Sequence, residues 1–527
     1  MLCFQRITRT TRIVRHLRLR FGFSGLFTAV AYFVLYIAPL KVEAQIVSGD
    51  SPAGTTQHLY VHLDKVLVSS FMGFGVQLDP YVYPPSPQQW QRIRSRLNLL
   101  HPAFLRVMFS ANDYCYQLSA EGCADYVWNE RTKSPPESFE QLLRILDYAE
   151  AHKTPVMLGE WSWPRLNHDA TVSPIMGPGD PRWAEIIVPM LRYLCEKRHY
   201  TVLRFYNYMN EPNGGWMWPG GSKGVDYEAW KAGLLHMRQV LDQNGLQSLT
   251  LVGPDNSGDW NWLDHTAQEA SSAVGAWEMH WYPKDEEVRT GQVFTLLDDK
   301  RRMLLKVDSD ASSKPRFMGE AGLITGRANG DQQPRVRSFS YGVLMADYAA
   351  QVAQAGWMGA SAWDLDDAMH AVKDSPEIPN DLTLKTWGFW NSEGSVMSHP
   401  EDEAIRPWFT PWLLLAHLFT HGAQIFEVSD PKAGNAIRAI AAKNTVDGKQ
   451  MWSMMLVNDH DVQATAEVNL PGTQQMQWRR FQYLERDAPR SYEDFPNSTV
   501  LSKTTQTEMV NLPANSVVFL ATYDLSK

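Results

Sequence analysis

The chain has 527 residues, 44% of them hydrophobic and 20 of them Trp, enough for a large core and a second domain. Its formal charge of −9 excludes a general nucleic-acid binder, which needs a basic face. Four cysteines are present, and none stands in metal-type spacing with histidine.

The N-terminus is separate from the fold. Arg6, Arg9, Arg12, Arg15, Arg18 and Arg20 come without an acidic residue, and an apolar stretch then runs from about Phe21 to Leu40. Val42-Glu43-Ala44 supplies a small-residue cleavage pattern. Residues 1–44 are therefore expected to be a secretory signal peptide, with Gln45 as the new N-terminus. The alternative is an uncleaved anchor, because the apolar stretch approaches the roughly 20 residues that span a bilayer. A membrane is a partner only in that second reading. Either way the arginines stay on the cytoplasmic side, and the remainder is secreted, periplasmic or otherwise extracellular. In an exported chain Cys115 and Cys123, close together in a loop of Tyr, Gly and Asp, are expected to form a local disulfide. Cys195 falls in a helical pattern and reads as a buried thiol.

Residues 45–70 read as a polar linker and a leading strand outside the main fold. Strands and helices then alternate, which predicts a parallel sheet with helices outside. The predicted strands cover 73–77, 104–109, 155–161, 203–213, 249–255, 276–283, 316–322 and 359–365. The predicted helices cover 87–100, 138–152, 181–198, 226–244, 263–270, 339–354 and 408–418. Eight such units within residues 71–420 predict a (β/α)8 TIM barrel. From 421 to 527 the segments alternate in a strand-like way and end at turn residues. They predict a small C-terminal antiparallel β-sandwich, which the leading strand could join.

The fourth predicted strand is an apolar, aromatic run that stops at Asn210-Glu211-Pro212. Proline cannot continue a ladder, so Glu211 stands at the strand's C-terminal tip with Asn210 beside it. In a barrel these tips carry the chemistry. A second acid, Glu320, follows Phe317-Met318-Gly319 at the end of the seventh strand. Both would project into one cleft. Hydrolysis of an acetal needs two carboxyl groups: one protonates the leaving oxygen, and the other attacks the anomeric carbon or activates water to do so. For retention the two sit about 5–5.5 Å apart. A neighbouring carboxylate keeps the proton on the acid, and that repulsion vanishes when the nucleophile becomes an ester. Such a cycle needs no metal and no cofactor.

Asn210-Glu211-Pro212 on strand four and a Glu on strand seven resemble clan A of the glycoside hydrolases, retaining enzymes with (β/α)8 barrels. Families 5 and 39 are nearest in look. The resemblance covers about residues 71–418. It implies a hydrolase of β-linked poly- or oligosaccharides that works by double displacement, with Glu211 as acid/base and Glu320 as nucleophile. It also implies that Asn210 hydrogen-bonds the sugar 2-OH and that Arg106, ending strand two, lies near the nucleophile. His280 and Tyr282 look like the clan's His-x-Tyr pair, with Tyr282 bonded to the nucleophile, and Trp363 on strand eight resembles its sugar platform. Physically, a guanidinium beside Glu320 would hold it ionised and oriented. The competing readings are a rim salt bridge for Arg106, a satisfied core histidine for His280 and a core ring for Trp363. The match has departures. Gly319-Glu320-Ala321 stands where the two families favour a Phe after the Glu, and Met209 stands where family 39 often has Trp.

Apart from the resemblance, Glu160, beside Trp161 and Trp163, could line a substrate subsite. Asp255, Asp364, Asp366 and Asp367 also fall at the rim, where solvated acids are common. The loop from Gly214 to Pro219 could cap the cleft with its tryptophans. Two rivals remain: a non-catalytic carbohydrate-binding barrel, and a metal-dependent barrel hydrolase, which would need clustered histidine ligands.

Overall fold

The structure is a computed structural model that describes residues 56–129, 136–214, 224–371, 384–429, 437–446, 448–471, 476–487, 493–501, 507–523 and 525. The expected signal segment and loop residues 215–219 lie outside the described residues. Among the described residues, no helix is long and apolar enough to cross a membrane.

After a leading strand β1 (Thr56–Val68), barrel strands β2 (Gly73–Gln77) and β3 (Leu105–Phe109) follow. A hairpin, β4 (Cys115–Leu118) and β5 (Cys123–Tyr126), interrupts them. The barrel resumes with β6 (Val156–Glu160), β7 (Leu203–Asn207), β8 (Thr250–Ser257), β9 (Ala276–Trp281), β10 (Arg316–Ala321) and β11 (Gly359–Ala362). These eight strands close in chain order, β11 pairing with β2. The predicted (β/α)8 barrel is the fold observed.

The outer ring comprises α1 (Pro87–Leu100), α2 (Glu137–His152), α3 (Arg182–Arg192), α4 (Tyr227–Gln243) and α5 (Trp260–Glu269). It continues with α6 (Asp285–Arg289), α7 (Gln292–Val307), α8 (Phe339–Gln354) and α9 (Phe409–Leu418). Helix α1 begins where the sequence places it, because Ser86 and Gln89 form a reciprocal capping box and Pro87 opens the first turn. The predicted helix over 181–198 is instead α3 followed by a π-helical turn, Tyr193–Lys197, with Pro189 inside the helix. The sequence reading gave no helix between β9 and β10, where α6 and α7 stand.

Strand alternation sets the barrel's interior. Phe104, Met157, Val252, Ala276 and Phe317 form a compact inner cluster. Their neighbours Leu105, Val156, Leu158, Leu251, Trp277 and Met318 pack outward into the main core with the helices. Burial on both faces is why these strands read as near-continuous apolar runs.

The C-terminal β-domain contains β12 (Gln424–Ser429), β13 (Arg438–Val446), β14 (Lys449–Asn458) and β15 (Ala464–Asn469). It is completed by β16 (Arg479–Tyr483), β17 (Ser498–Val500), β18 (Thr507–Leu512) and β19 (Ser516–Ala521). Strand β1 joins this domain, antiparallel to β12 and parallel to β15. The nine strands form one ladder, ordered β17-β16-β19-β14-β13-β12-β1-β15-β18. Its alternation separates two cores. Ala441, Met454, Leu456, Val518 and Leu520 face a core of the domain's own, with Leu59, Val468 and Val510. Ile440, Met455, Val457 and Phe519 face the barrel. Helix α8 is buried along most of its length between the two, and the half-buried Arg438 pairs at 3.0 Å with the buried Asp347 to tie them together. The expected Cys115–Cys123 disulfide joins β4 to β5, while Cys195 is a half-buried free thiol.

Candidate active site

Two unusual turns meet at the barrel mouth. Strand β7 ends at Asn207, and Glu211 lies beyond it with φ of 38°. Asp255, at a register shift in β8, has φ of 56°. Both are non-glycine residues in the left-handed region, a strained state that needs outside support. They support each other: the Glu211 N–H donates to the Asp255 carbonyl at 3.0 Å and to its Oδ2 at 3.2 Å. The Asn210 N–H donates to the Glu160 carbonyl at 2.8 Å.

On β10 a second irregularity does the same work. A Cβ at Gly319 would lie 1.5 Å from Oε1 of Glu278, so Gly319 faces the interior. Simple alternation would then turn Glu320 outward. The register shift between Met318 and Glu320 against β9 turns it in.

The side chains converge. Arg106 Nη1 donates to Glu320 Oε1 at 2.6 Å, and the Tyr282 hydroxyl donates to Oε2 at 2.5 Å. Arg106 also donates to Gln77 Oε1 at 2.7 Å, to Asn210 Oδ1 at 2.6 Å and to both Asp255 oxygens at 3.2 Å. His280 Nδ1 lies 2.8 Å from Glu211 Oε1 and 3.4 Å from Glu320 Oε2. Its Nε2 faces Asp255 Oδ1 at 3.2 Å and Glu278 Oε1 at 3.3 Å. Glu211, His280 and Glu320 bring one polar atom each within 4.8 Å of one another.

Burial and charge set the protonation of this cluster. For Arg106, burial works against the charge, but Asp255 and Glu320 outweigh it and keep the guanidinium ionised. Burial also opposes ionisation of Asp255, yet Arg106 and His280 hold its carboxyl well below the usual range. Burial alone would lower the His280 imidazole. Glu320, Asp255 and Glu278 reverse that and raise it well above the ordinary histidine value. For Glu320, burial raises the carboxyl above its ordinary 4.5 while His280 and Arg106 pull against the rise. Asp255, Glu278 and His280 form a second group with atoms within 4.8 Å. Either trio has a spacing that a cation could bridge. Arg106 and a charged imidazole already supply positive charge there, which favours protons over a metal as the balancing charge.

No protein-family model matches the chain, and comparison with curated proteins finds no match. Solved structures do match it. A GH30 endoxylanase from Clostridium papyrosolvens C71 aligns with a TM-score of 0.58 at 13% identity, over 89% of this chain and 100% of its own. The catalytic domain of GH30 xylanase C from Talaromyces cellulolyticus gives 0.59 at 12% identity, over 89% and 100%. A glucosidase from Croceicoccus marinus gives 0.59 at 11% identity, over 90% and 100%. The chain has the fold of these GH30 barrels. GH30 enzymes belong to clan A, the group the motif resembles.

Within this fold the expected site residues divide. Arg106, Asn210, Glu211, His280, Tyr282 and Glu320 stand in the one network just described. Trp363, whose N–H donates at 3.0 Å to the carbonyl of Ala321, the residue after Glu320, is 5% exposed, with one face stacked on His370 at 4.9 Å between centroids. Trp161 meets Trp363 edge-on at 6.3 Å. Glu160 does not join them, and its expected place in a subsite is corrected. Met157 faces the barrel interior, so alternation turns Leu158 and Glu160 outward while Trp161 faces in. Glu160 instead accepts from the Tyr114 hydroxyl at 2.6 Å and the Ala111 N–H at 2.9 Å. The rim acids are not solvated either: Asp255, Asp364, Asp366 and Asp367 are all buried. Asp367 pairs with Arg406, and Asp366 accepts from Trp390 Nε1 at 2.8 Å. Gln77, Asp79 and Glu278 were missed. Gln77 and Glu278 carried a signal, being polar residues on the inward face of otherwise apolar strands.

Glu160 gives a stability prediction. Burial pushes its carboxyl up to about 8, with the Tyr114 and Ala111 hydrogen bonds pulling the other way. The folded state therefore holds a proton that the unfolded chain releases near 4.5, and stability falls as pH rises from there through about 8. Denaturant midpoints at pH 5 and pH 9 will show this loss, and Glu160→Gln will reduce it. A parallel loss in both proteins would contradict the assignment.

Proposed function

We propose that this protein is a retaining glycoside hydrolase. It cleaves O-glycosidic bonds of β-linked poly- or oligosaccharides by double displacement, with Glu211 as acid/base and Glu320 as nucleophile. The observation that carries this is the pairing of two carboxyl groups, one just beyond β7 and one on β10, with an oxygen of each within 4.8 Å of the other. An approach this close favours a retaining pair, with its carboxyl groups roughly 5–5.5 Å apart, over an inverting one at roughly 6.5–9.5 Å. The solved structures of the same fold include an endoxylanase, a β-xylosidase and an endo-β1,6-glucanase.

In the first step a Glu320 oxygen attacks the anomeric carbon, the bond to the leaving oxygen breaks, and the Glu211 proton moves onto that oxygen. Arg106 and Tyr282 hold Glu320 in place for attack. Asn210 has its carbonyl oxygen bound by Arg106, which leaves its amide N–H groups for the sugar 2-OH. In the second step Glu211 takes a proton from water. The water oxygen attacks the anomeric carbon, and the ester bond breaks to regenerate the Glu320 carboxylate. His280 Nδ1 sits between the two acids, 2.8 Å from Glu211 and 3.4 Å from Glu320, so its proton is in reach of whichever must be charged: Glu320 for attack, Glu211 once the ester has formed. Trp363 and Trp161 supply apolar ring surface for a sugar face. The basic, apolar N-terminal segment would direct the enzyme out of the cytoplasm, where polymeric glycans are met.

Two results test this. With a panel of aryl β-glycosides, proton NMR will show the β-anomer as the first product. First formation of the α-anomer would contradict double displacement, and saccharide binding without turnover would favour the non-catalytic barrel. The acid limb of kcat/KM will lie above the ordinary glutamate value of 4.5, because burial raises Glu320, which must be ionised to attack. A limb below that value would contradict the assignment.

A further inference from the structure

Beneath His280 lies an acid that the mechanism above does not use. Glu278 is two residues earlier on β9, on the same inward face, and is fully buried. Neither of its oxygens has a hydrogen-bond donor. The neighbouring strand is cut away to admit it, since any side chain at Gly319 would collide with its Oε1. The charged groups facing it are Asp255 on β8, His280 on its own strand and Arg106 on β3.

Arg106 is committed to Asp255 and Glu320, and the only other cation facing Glu278 among the described residues, the His280 imidazole, is shared with Asp255 at 3.2 Å and 3.3 Å. An unpaired buried charge is expensive, and a carboxyl group there keeps its proton instead. Burial first, and then the charge of Asp255, act in that direction on Glu278 and outweigh the opposing charge of His280. A proton on Glu278 also resolves its missing hydrogen bond. A carboxylate offers about four acceptor positions. Arg106 takes one position on each Asp255 oxygen and the Glu211 N–H takes a second on Oδ2, while His280 Nε2 faces Oδ1 at 3.2 Å without completing a hydrogen bond. The position left on Oδ1 suits an O–H from Glu278: the two carboxyl groups approach within 4.8 Å, and a hydrogen bond between them lowers Asp255 and raises Glu278.

We propose that Glu278 is a positioning residue: as a neutral acid it donates a hydrogen bond to Asp255, keeps Asp255 anionic under His280, and so keeps the imidazole a charged donor shared by Glu211 and Glu320. It does not touch substrate. Its effect on turnover rests on the glycosidase reading; its proton does not.

The test uses Glu278→Leu and Glu278→Gln in the full chain. Leu removes the donor and Gln retains one. Glu278→Leu will lower kcat about tenfold, less than the loss of a group that itself transfers the proton, with KM little changed. The alkaline limb of kcat will move down by about one pH unit as His280 loses its proton more easily. Glu278→Gln will recover most of both losses. A Gln variant as impaired as Leu would mean that the negative charge of Glu278 matters, and would overturn the proposal. So would a Leu variant indistinguishable from wild type. Infrared difference spectra of wild type against Glu278→Gln at neutral pH need no turnover and no Leu variant. They will show loss of a protonated-carboxyl band; loss of a carboxylate band instead would overturn the proposal. If wild type hydrolyses no glycoside while the protonated band is present, the functional reading fails and the assignment of the proton stands.

Discussion

Replacing Glu320 by Ala will lower kcat on aryl β-glycosides by about 10⁴-fold or more, the scale of loss when a nucleophile is removed. The same variant will regain turnover in added azide, which can enter the space left by the carboxylate. Azide attacks from the Glu320 side, so the product will be the α-glycosyl azide. Glu211→Ala will behave differently. With an activated leaving group its first step needs little acid, so the ester will form and persist. Azide will then attack the ester and yield the β-glycosyl azide. Opposite anomers from the two variants would assign the two roles to the two residues. The same anomer from both, or full activity in either, would contradict the assignment.

The second large effect is at Arg106. It is fully buried and gives charged hydrogen bonds to Glu320 and Asp255 while also holding Gln77 and Asn210. Arg106→Met will destabilise the fold by about 3–5 kcal/mol, because two carboxylates lose their cation and remain buried. Denaturant unfolding measures this directly. Arg106→Lys keeps one charge but not the fork that reaches four partners, so it will recover only part of the loss. Equal stability of wild type and Arg106→Met would mean that the acids of this network are neutral. The proposed attack by ionised Glu320 would then fail too.

Much of this arrangement was legible in the order of residues. Apolar runs ending at Asn210-Glu211-Pro212 and at Gly319-Glu320 mark strand tips, and Ser86 with Gln89 marks the start of α1. Period-two alternation places His280 and Tyr282 on one face, and the structure puts both on the carboxylates. The same rule, applied from Met157, would have turned Glu160 outward. Proximity to two tryptophans concealed that. The inward turn of Glu320 depends on a register shift between strands, which no single strand encodes. Asp255 looked like a solvated rim acid because its partners, Arg106 and His280, come from distant strands. Helix α7 has only three buried positions, Val293, Leu297 and Leu304, so its apolar stripe is thin against a strongly charged background. Strand β1 finds its partners in β12 and β15, at the far end of the chain.

The most direct measurement is covalent trapping. A 2-deoxy-2-fluoro β-glycoside with a good leaving group slows the second step, so a glycosyl ester accumulates on whichever residue attacked. Peptide mass spectrometry of the inactivated protein is predicted to place the sugar on Glu320, with one sugar per chain. A label on Glu211 or any other residue, or steady hydrolysis with no label, would contradict the account.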